Sequence, residues 1–312
     1  MEKPKFKTVQ EVVAAGEGLP ARYLQAPTGN DNGIPLNASI PEMDIPAIDL
    51  SLLLSASEDG REELNKLHLA LSTWGVVQVM NHGITKAFLD KIYKLTKEFC
   101  ALPSEEKQKY AREIGSIQGY GNDMILWDDQ VLDWIDRLYI TTYPEDQIQL
   151  KFWPQVPTGF RHVWRKCYDG YMYPPCPRPD KVIGVKRHAD KSAFTLLLPD
   201  KNVEGLQFLK DGKWYKAPIV SADTILINVG DQMEIMSNGI YKSPVHRVVT
   251  NREKERISVA TFFIPGADKE ILPVDGLVSE ARPRLCKPVK NYVELLNNYY
   301  LQGLRPIAAS LI

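Results

Sequence analysis

The sequence predicts a mainly β-fold with helices, in which the helices are concentrated in the N-terminal half. After about residue 172 the chain becomes a series of short β-type runs separated by turn signals: FTLLL, GLQFL, KWYKAP, TILINVG, SPVHRVV and RISVATFFI. The segment Lys210-Asp211-Gly212-Lys213 is a strong signal for a two-residue hairpin turn. Many short antiparallel strands at close spacing predict a β-sandwich or a double-stranded barrel.

The first half of the chain carries the helical patterns. Apolar residues recur at helical spacing between residues 60 and 75, and residues 85–100 give a second amphipathic helix. Two short runs, IPAIDLS and VVQVMNHGI, are typical of strands. In LPSEEKQKY, Ser104 is a favourable N-cap, and the two glutamates that follow it in the first helical turn complement the helix dipole. A final helix is predicted at roughly residues 289–301.

This change of pattern predicts a domain boundary near residues 155–172. We expect an N-terminal helix-rich region at residues 1–160, a β-domain at residues 172–301 and a C-terminal tail at residues 302–312.

Composition and charge indicate a protein that acts on a small molecule. Lys plus Arg number 38 and Asp plus Glu number 39, so the net charge of −1 gives no reason to expect nucleic acid or an anionic membrane as a partner. No apolar run is long enough for a signal peptide or a membrane span. The four cysteines form no CxxC pair, which argues against structural zinc and for a reducing compartment. We therefore expect a cytoplasmic monomer.

One pair of residues has the spacing of metal ligands on a strand. His188 and Asp190 are two positions apart, and residues at i and i+2 of an extended strand point to the same face. One ion can then meet both side chains. The alternative for this isolated pair is an exposed salt pair at a strand end. The other early histidines have simpler interpretations as a helix-face residue, a turn residue and a loop residue: His68, His82 and His162.

A third candidate ligand, His246, lies in the later β-type run SPVHRVV. If that strand faces the first pair, two histidines and one carboxylate occupy one face of an ion. Such a set is diagnostic of non-haem Fe(II) oxygenases, although zinc with three protein ligands and a water is a competing interpretation.

Arg256 and Ser258 favour iron over zinc. Both alternate onto one face at the start of RISVATFFI, ten and twelve residues after His246. An arginine can donate two parallel hydrogen bonds to a carboxylate, and a serine hydroxyl can add a further donor. The pair is therefore interpreted as the anchor of a dicarboxylate cosubstrate, against the alternative of an exposed arginine beside a charged turn.

Longer runs of the chain resemble the plant 2-oxoglutarate/Fe(II)-dependent dioxygenases. They include YPPCPRPD, GVKRHADKSAFTLLLPD, VEGLQFLKDGKWYKAP, TILINVGDQMEIMSNGIYKSPVHRVV and ERISVATFFIPG, together with IPAIDLS and WGVVQVMNHGI near the N-terminus. The resemblance covers nearly the whole chain. It is nearest to the specialised-metabolism branch, which includes norcoclaurine-synthase-like and O-demethylase-like members. It implies a double-stranded β-helix, or jelly roll, with an N-terminal helical region.

The resemblance also implies roles for individual residues. His188, Asp190 and His246 match the iron ligands, and Arg256 and Ser258 match the pair that holds the distal carboxylate of 2-oxoglutarate. Tyr173 matches a cosubstrate contact, although a packed aromatic before a proline turn is the simpler alternative. Fe(II), 2-oxoglutarate as cosubstrate and ascorbate as reductant are the implied cofactors, and a small-molecule substrate and O2 are the implied partners.

The implied reaction is hydroxylation or O-demethylation of a plant specialised metabolite such as an alkaloid or flavonoid, with release of succinate and CO2. The substrate is expected against the segment Trp127–Tyr143 and the strand end near Phe263. An oxidase without cosubstrate is disfavoured by Arg256 and Ser258.

The chain departs from the family pattern before the YPP motif. Tyr171 stands where the family usually has asparagine, and Arg187 stands before the ligand histidine where a neutral residue is more usual. The segment from Phe160 runs almost directly into YMYPP, where relatives carry about two further helices of ordinary length. This predicts an internal deletion. The alternatives for the chain are accordingly a catalytically impaired truncated relative, or a non-catalytic small-molecule-binding protein on the same fold.

Overall fold

Two β-sheets, one large and one small, pack face to face and form the centre of the molecule. The computed structural model describes residues 7–16, 18–25, 39–113, 116–122, 130–165, 169–221, 223–292 and 305–312. Within these residues the fold is the jelly roll with additional helices that the sequence predicts.

The described helices are concentrated before residue 165. They are α1 (Val9–Ala15), α2 (Leu50–Leu53), α3 (Glu58–Thr73), α4 (Lys86–Cys100), α5 (Ser104–Gln108), α6 (Phe160–Trp164) and α7 (Asp231–Met236). Short 3-10 turns lie at Ala21–Tyr23, Glu145–Gln147, Leu150–Phe152, Asp275–Leu277 and Pro306–Ser310.

The described strands are β1 (Ala47–Asp49), β2 (Val76–Met80), β3 (Gly119–Gly121), β4 (Asp136–Tyr139), β5 (Asp169–Tyr173), β6 (Ile183–His188), β7 (Phe194–Leu198), β8 (Leu206–Lys210), β9 (Lys213–Lys216), β10 (Ile225–Val229), β11 (Val245–Val249), β12 (Arg256–Phe263), β13 (Glu270–Ile271) and β14 (Val289–Lys290). The major sheet has the order β1-β2-β10-β7-β12-β5-β4-β3, and the minor sheet has the order β6-β11-β8-β9. Strands β13 and β14 form a separate pair.

Apolar side chains cover both faces of the major sheet. On its outer face, α4 buries Leu89, Ile92 and Phe99 against Ile257 and Val259 of β12. On its inner face, a second cluster joins the two sheets, and it includes Leu206, Phe208, Val248, Leu226 and Tyr173. Alternation along each strand divides the residues between these two clusters.

The hairpin and the two longer helices confirm the local sequence signals. Lys210 pairs with Lys213 across the β8–β9 turn, and Asp211 and Gly212 have φ values of 49° and 75°. Positive φ at both central residues defines the type I′ turn that Asp-Gly favours. The predicted helices at 60–75 and 85–100 correspond to α3 and α4.

Three local predictions were wrong in detail. Pro103, not Ser104, occupies the N-cap of α5, because the Ser104 hydroxyl donates instead to the Glu11 carboxylate of α1. His162 lies on α6 rather than in a loop. Val289 and Lys290 form β14 because they pair with Ile271 and Glu270, so the predicted final helix begins too early. Most of that helix, residues 293–301, lies outside the described residues.

The major sheet takes strands from both sides of residue 160, since β1 to β4 precede it and β5, β7, β10 and β12 follow it. The predicted division into residues 1–160, 172–301 and 302–312 therefore stays a prediction. At the C-terminus, Ile307 is buried and the Lys287 N–H donates to the Ser310 carbonyl, so residues 305–312 pack on the fold. In the part of the chain that the structure describes, no helix has the length and apolarity required to cross a bilayer.

Candidate metal and dicarboxylate site

The two sheets bring His188, Asp190 and His246 together. His188 ends β6, Asp190 follows it by two residues, and the β6–β11 pairing sets His246 opposite His188. The His188 Nε2 lies 3.5 Å from Asp190 Oδ1, and the His246 Nε2 lies 3.7 Å from the same oxygen. The three ligand atoms all lie within 4.8 Å of one another, so one ion can contact all three.

Backbone carbonyls orient both imidazole rings. The His188 Nδ1 is 2.9 Å from the Lys186 carbonyl oxygen, and the His246 Nδ1 is 3.1 Å from the Pro244 carbonyl oxygen. A carbonyl only accepts, so each neutral ring carries its proton on Nδ1 and presents a lone pair on Nε2. This is the orientation of histidines that ligate a metal.

The Asp190 carboxylate is oriented from the major sheet. Its Oδ2 accepts hydrogen bonds from Thr195 Oγ1 at 2.6 Å and from Asn228 Nδ2 at 2.7 Å. Thr195 and Asn228 are register partners on β7 and β10, so both donors come from one point of the sheet. Oδ1 is thereby left directed at the two histidines.

The electrostatic environment gives Asp190 and His246 the protonation states that a metal requires, whereas the pKa of His188 is raised because its burial is outweighed by the hydrogen bond to Asp190 and the charge of that carboxylate. Burial alone would raise the pKa of Asp190, but His246 and His188 together hold it well below its usual range. Burial, with the neighbouring His188, lowers the pKa of His246 to about 4. At neutral pH the cluster therefore contains a carboxylate and a neutral His246, both of which can ligate a cation without losing a proton.

A second polar group lies on the inner face of β12 and β5. Arg256 and Ser258 are buried, and Arg256 pairs in register with Tyr173, which is also buried. The Arg256 Nη1 donates to the Ser258 Oγ at 3.3 Å, and its guanidinium carbon lies 5.1 Å from the centroid of the Tyr173 ring. Burial raises the pKa of Tyr173, so its hydroxyl stays protonated and available as a donor.

Arg256 lacks an acidic partner among the described residues. No carboxylate there forms an ion pair with it, and its Nε is buried without a hydrogen-bond partner. A buried cation is costly unless it is paired and hydrogen-bonded. This group of residues therefore fits an anionic ligand.

One cavity of about 330 Å³ joins the two groups. The six residues singled out by sequence all line it: His188, Asp190, His246, Tyr173, Arg256 and Ser258. Its volume is at the lower end of the range for small-molecule sites. The remaining wall is largely apolar and aromatic.

The structure adds two site residues that the sequence did not single out, Thr195 and Asn228. The sequence could have indicated a role for Asn228, because it is the one polar residue within the apolar strand ILINV. Thr195 in FTLLL is a weaker case, since threonine is common in strands.

Part of the predicted substrate segment lies at the cavity, and its contact with substrate stays a prediction. Residues 127–129 of Trp127–Tyr143 lie outside the described residues, whereas Asp133, Ile135, Arg137 and Tyr139 line the cavity. At the other strand end Phe262, not Phe263, lines the cavity, because alternation turns Phe263 outward to stack on Phe194 with ring centroids 4.4 Å apart.

Known families match both halves of the chain. The sequence model described as "2OG-Fe(II) oxygenase superfamily" matches residues 160–265, and that described as "non-haem dioxygenase in morphine synthesis N-terminal" matches residues 45–156.

Similar proteins come from plant metabolism. Codeine O-demethylase of Papaver somniferum is 34% identical, over 86% of this chain and 85% of that protein. S-norcoclaurine synthase 1 of Coptis japonica is also 34% identical, over 86% of each chain. The crystal structure of JOX2 in complex with 2OG, Fe and JA superposes with a TM-score of 0.83 at 26% identity, over 99% of this chain and 98% of that one.

The alignment lengths bear on the predicted deletion. The codeine O-demethylase alignment runs over 311 positions, whereas 86% of 312 residues is about 268 residues of this chain. About 40 positions of that relative therefore have no counterpart here. Where the gap falls stays a prediction.

Proposed function

Because this chain belongs to the 2OG-Fe(II) oxygenase superfamily, we propose that it hydroxylates or O-demethylates a plant specialised metabolite, with 2-oxoglutarate converted to succinate and CO2. One observation carries the proposal: a two-histidine, one-carboxylate cluster and a buried arginine–serine pair line the same small cavity. A binding protein without turnover needs neither group.

The donor set fits iron. Two imidazole Nε2 atoms and the Asp190 Oδ1 would hold the ion on one side and leave further positions open, which is the ligand set of non-haem Fe(II) oxygenases. Bound iron would supply the activation of O2, which protein side chains do not provide. Thr195 and Asn228 would keep Asp190 oriented toward the ion.

The second polar group fits the far carboxylate of 2-oxoglutarate. Arg256 would donate paired hydrogen bonds, Ser258 would add a hydroxyl donor, and Tyr173 would close the wall beside them. The ligand neutralises a buried guanidinium that otherwise lacks an acidic partner among the described residues. Apolar neighbours such as Leu206 and Val248 exclude water from this part of the cavity.

The names of the relatives support the class of substrate. Codeine O-demethylase and S-norcoclaurine synthase 1 are named for alkaloid chemistry, and a relative from Solanum tuberosum is named flavonol synthase/flavanone 3-hydroxylase, at 30% identity. We further propose that ascorbate keeps the iron reduced, and that the protein works as a cytoplasmic monomer.

The test follows 2-oxoglutarate decarboxylation. Purified protein with Fe(II), ascorbate, O2 and 2-oxoglutarate is incubated with and without a panel of plant alkaloids, flavonoids and acids, and succinate is quantified. We expect succinate that rises with one substrate class and is absent in His188→Ala. The matched control is His162→Ala, because His162 is exposed on α6 and does not line the cavity. No succinate above the His188→Ala background under any condition would contradict the enzymatic proposal.

A second candidate is a catalytically impaired relative that binds ligand without turnover. The roughly 40 unmatched alignment positions favour it, because a missing segment that normally covers apolar sheet surface leaves less packing to hold the site. Titration calorimetry with Fe(II) and 2-oxoglutarate separates the two candidates. Binding of both ligands to a cooperatively melting protein that forms no succinate supports the impaired relative.

A further inference from the structure

We propose that Arg305, near the C-terminus, is a positioning residue for the metal site, because it joins the two chain segments that carry Asp190 and His246. The inference rests on the proposed function, since it concerns how the chain holds two of the ligands proposed for iron. Arg305 is not among the described residues that line the cavity. Its effect on a bound metal must therefore pass through the residues that lie between them.

The short helix α7 lies directly against the turn that follows the ligand Asp190. The Asp231 backbone N–H, at the start of α7, donates to the Asp190 carbonyl oxygen at 2.8 Å. A Cβ atom at Gly230 would lie only 2.0 Å from the Ser192 carbonyl oxygen, so the two backbones touch at a position where only glycine fits. The position of α7 therefore sets the position of the Asp190 backbone.

The same helix also holds the segment that leads into His246. The Glu234 side chain of α7 accepts the Ser243 backbone N–H on its Oε2 at 2.7 Å. Ser243 comes directly before Pro244, whose carbonyl oxygen orients the His246 ring. Helix α7 thus contacts both a segment that carries the carboxylate ligand and a segment that carries a histidine ligand.

Arg305 connects these contacts through one amino group. Its Nη2 donates to two carboxylates of α7, Asp231 Oδ1 and Glu234 Oε2, both at 3.1 Å. The same Nη2 donates to the Ser243 carbonyl oxygen at 2.8 Å. The guanidinium therefore contacts the helix residue behind each ligand segment and also the backbone that leads into His246.

The charge of Arg305 matters because both of its carboxylate partners are buried. Asp231 is fully buried, and the Glu234 side chain is 12% exposed. Buried carboxylates are costly unless a cation and hydrogen bonds compensate them. Tyr292 donates to the other Asp231 oxygen at 2.8 Å, and the Lys242 Nζ lies 3.6 Å from the other Glu234 oxygen. Each of these contacts one carboxylate, whereas Arg305 contacts both.

Loss of the guanidinium should therefore loosen the metal site. Without the shared cation the two carboxylates of α7 repel each other, and the helix no longer holds both ligand segments in one position. A ligand set tolerates displacements of only about 0.5 Å, so metal affinity falls when Asp190 and His246 move relative to each other. The fall should be smaller than for a residue that bonds a ligand side chain directly.

The first test measures binding of Mn(II) to the full chain by titration calorimetry, with thermal melts of the same samples. Arg305→Gln should weaken Mn(II) binding about fivefold, and Arg305→Lys should recover part of the affinity because it keeps the charge. The matched control is Arg284→Gln, since Arg284 pairs with Asp275, whose side chain is 94% exposed. Unchanged Mn(II) affinity in Arg305→Gln overturns the inference. If that variant does not fold, Arg305→Lys must bind Mn(II) more weakly than the natural sequence for the inference to stand.

A second variant separates the hydrogen bonds of Arg305 from a general loss of stability. Ile307 is a buried residue of the same C-terminal segment and belongs to one apolar cluster with Ile235 of α7. Ile307→Ala should lower the melting temperature to an extent comparable with Arg305→Gln, yet leave Mn(II) affinity within about twofold. An equal loss of Mn(II) affinity in both variants would show that packing of the segment decides the effect, which overturns the assignment to Arg305.

Hydrogen exchange of the metal-free protein gives a readout that does not depend on the metal. Arg305→Gln should speed exchange of the Asp231 and Ser243 backbone N–H groups, because these donate across the two contacts of α7. Exchange of the Ile257 N–H, which donates to Asp200 at 2.8 Å, should not change. Unchanged exchange at both Asp231 and Ser243 overturns the inference.

Failure of this inference can be distinguished from failure of the proposed function. A natural sequence that binds no Mn(II) and forms no succinate refutes the proposed function, and the inference with it. A natural sequence that binds Mn(II) and forms succinate, with the same metal affinity in Arg305→Gln, refutes the inference alone. If the natural sequence binds Mn(II) without forming succinate and Arg305→Gln shows the expected fall, the inference is supported and turnover is refuted.

Discussion

The two ends of the cavity are built differently. At the metal end, each candidate ligand has its second polar atom fixed: the histidine Nδ1 atoms by backbone carbonyls, and Asp190 by Thr195 and Asn228. At the β4 end, the wall consists of long side chains, Arg137, Tyr139 and Tyr171. Short side chains with fixed hydrogen-bond partners hold the metal-ligating atoms in one geometry. A single substitution of a long side chain in the cavity wall, in contrast, can change which ligand the cavity accepts. One fold can therefore keep its chemistry and vary its substrate.

The largest expected effect is the loss of a ligand at the metal end. Asp190→Ala removes the only carboxylate of the cluster and leaves two histidines. We expect the affinity for Fe(II), or for Mn(II) as an air-stable probe, to fall by more than about 100-fold, beyond the effect of outer hydrogen-bond partners. Calorimetric titration with the metal measures this fall.

Asp180→Asn is the matched control, because Asp180 is a surface carboxylate paired with Arg178. Metal affinity that survives Asp190→Ala would show that the ion is held elsewhere. The cavity would then have no fixed metal end to compare with its β4 end.

The next effect tests the dicarboxylate anchor. Arg256→Gln removes a buried charge and its paired donors, so we expect the Kd of 2-oxoglutarate to rise about 100-fold, with Ser258→Ala raising it about fivefold. Metal affinity should stay unchanged in both variants. If Arg256→Gln binds 2-oxoglutarate as tightly as the natural sequence does, the cosubstrate is anchored by another group, for which Arg137 is the nearest candidate in register.

A smaller effect is expected from the two residues behind Asp190. Asn228→Ala and Thr195→Val each remove one hydrogen bond to Oδ2, and each should weaken metal binding about tenfold. The double variant should lose more than either single one. Unchanged metal affinity in both single variants would mean that Asp190 keeps its orientation without them, and the metal end would be less rigidly held than its contacts indicate.

These site residues also separate what the sequence could predict from what it could not. His188 and Asp190 are two positions apart on one chain segment, so local strand alternation was sufficient to pair them. Asn228 reaches Asp190 only because β10 and β7 are neighbours in the sheet, across 38 residues of sequence. No local pattern contains that contact, although a polar residue in an apolar strand hints at a partner.

The errors at element ends have the same origin. Ser104 has the right type for an N-cap, but Glu11 of α1, 93 residues earlier, takes its hydroxyl. Val289 and Lys290 were included in the predicted C-terminal helix, but they form a strand because they pair with β13. The prediction for the strand end near Phe263 named no face, because the sequence shows that a strand exists but not which of its faces meets the cavity. In each case a distant partner decides between local alternatives of similar energy.

The last prediction concerns the strand that carries Arg137. Its neighbour Asp136 faces away from the cavity and accepts the backbone N–H groups of Val9 and Gln10, both at 2.8 Å, which fastens α1 to β4. Burial raises the pKa of Asp136 to about 6, although the two N–H donors and Lys107 oppose the rise. The folded state therefore binds a proton that the unfolded state, with a pKa near 3.8, has released.

Stability from this group is complete below the unfolded pKa and is lost as the pH rises through about 6. Asp136→Asn removes the titration. Relative to the natural sequence, the variant should thus gain about 2 kcal/mol in free energy of unfolding between about pH 4.5 and about pH 7.5. Urea unfolding followed by tryptophan fluorescence measures this difference. Metal and 2-oxoglutarate affinities should not change, because Asp136 lies outside the cavity lining. A stability difference that is the same at both pH values would show that Asp136 titrates alike in the folded and unfolded chains, so that burial does not weaken the α1–β4 contact at neutral pH.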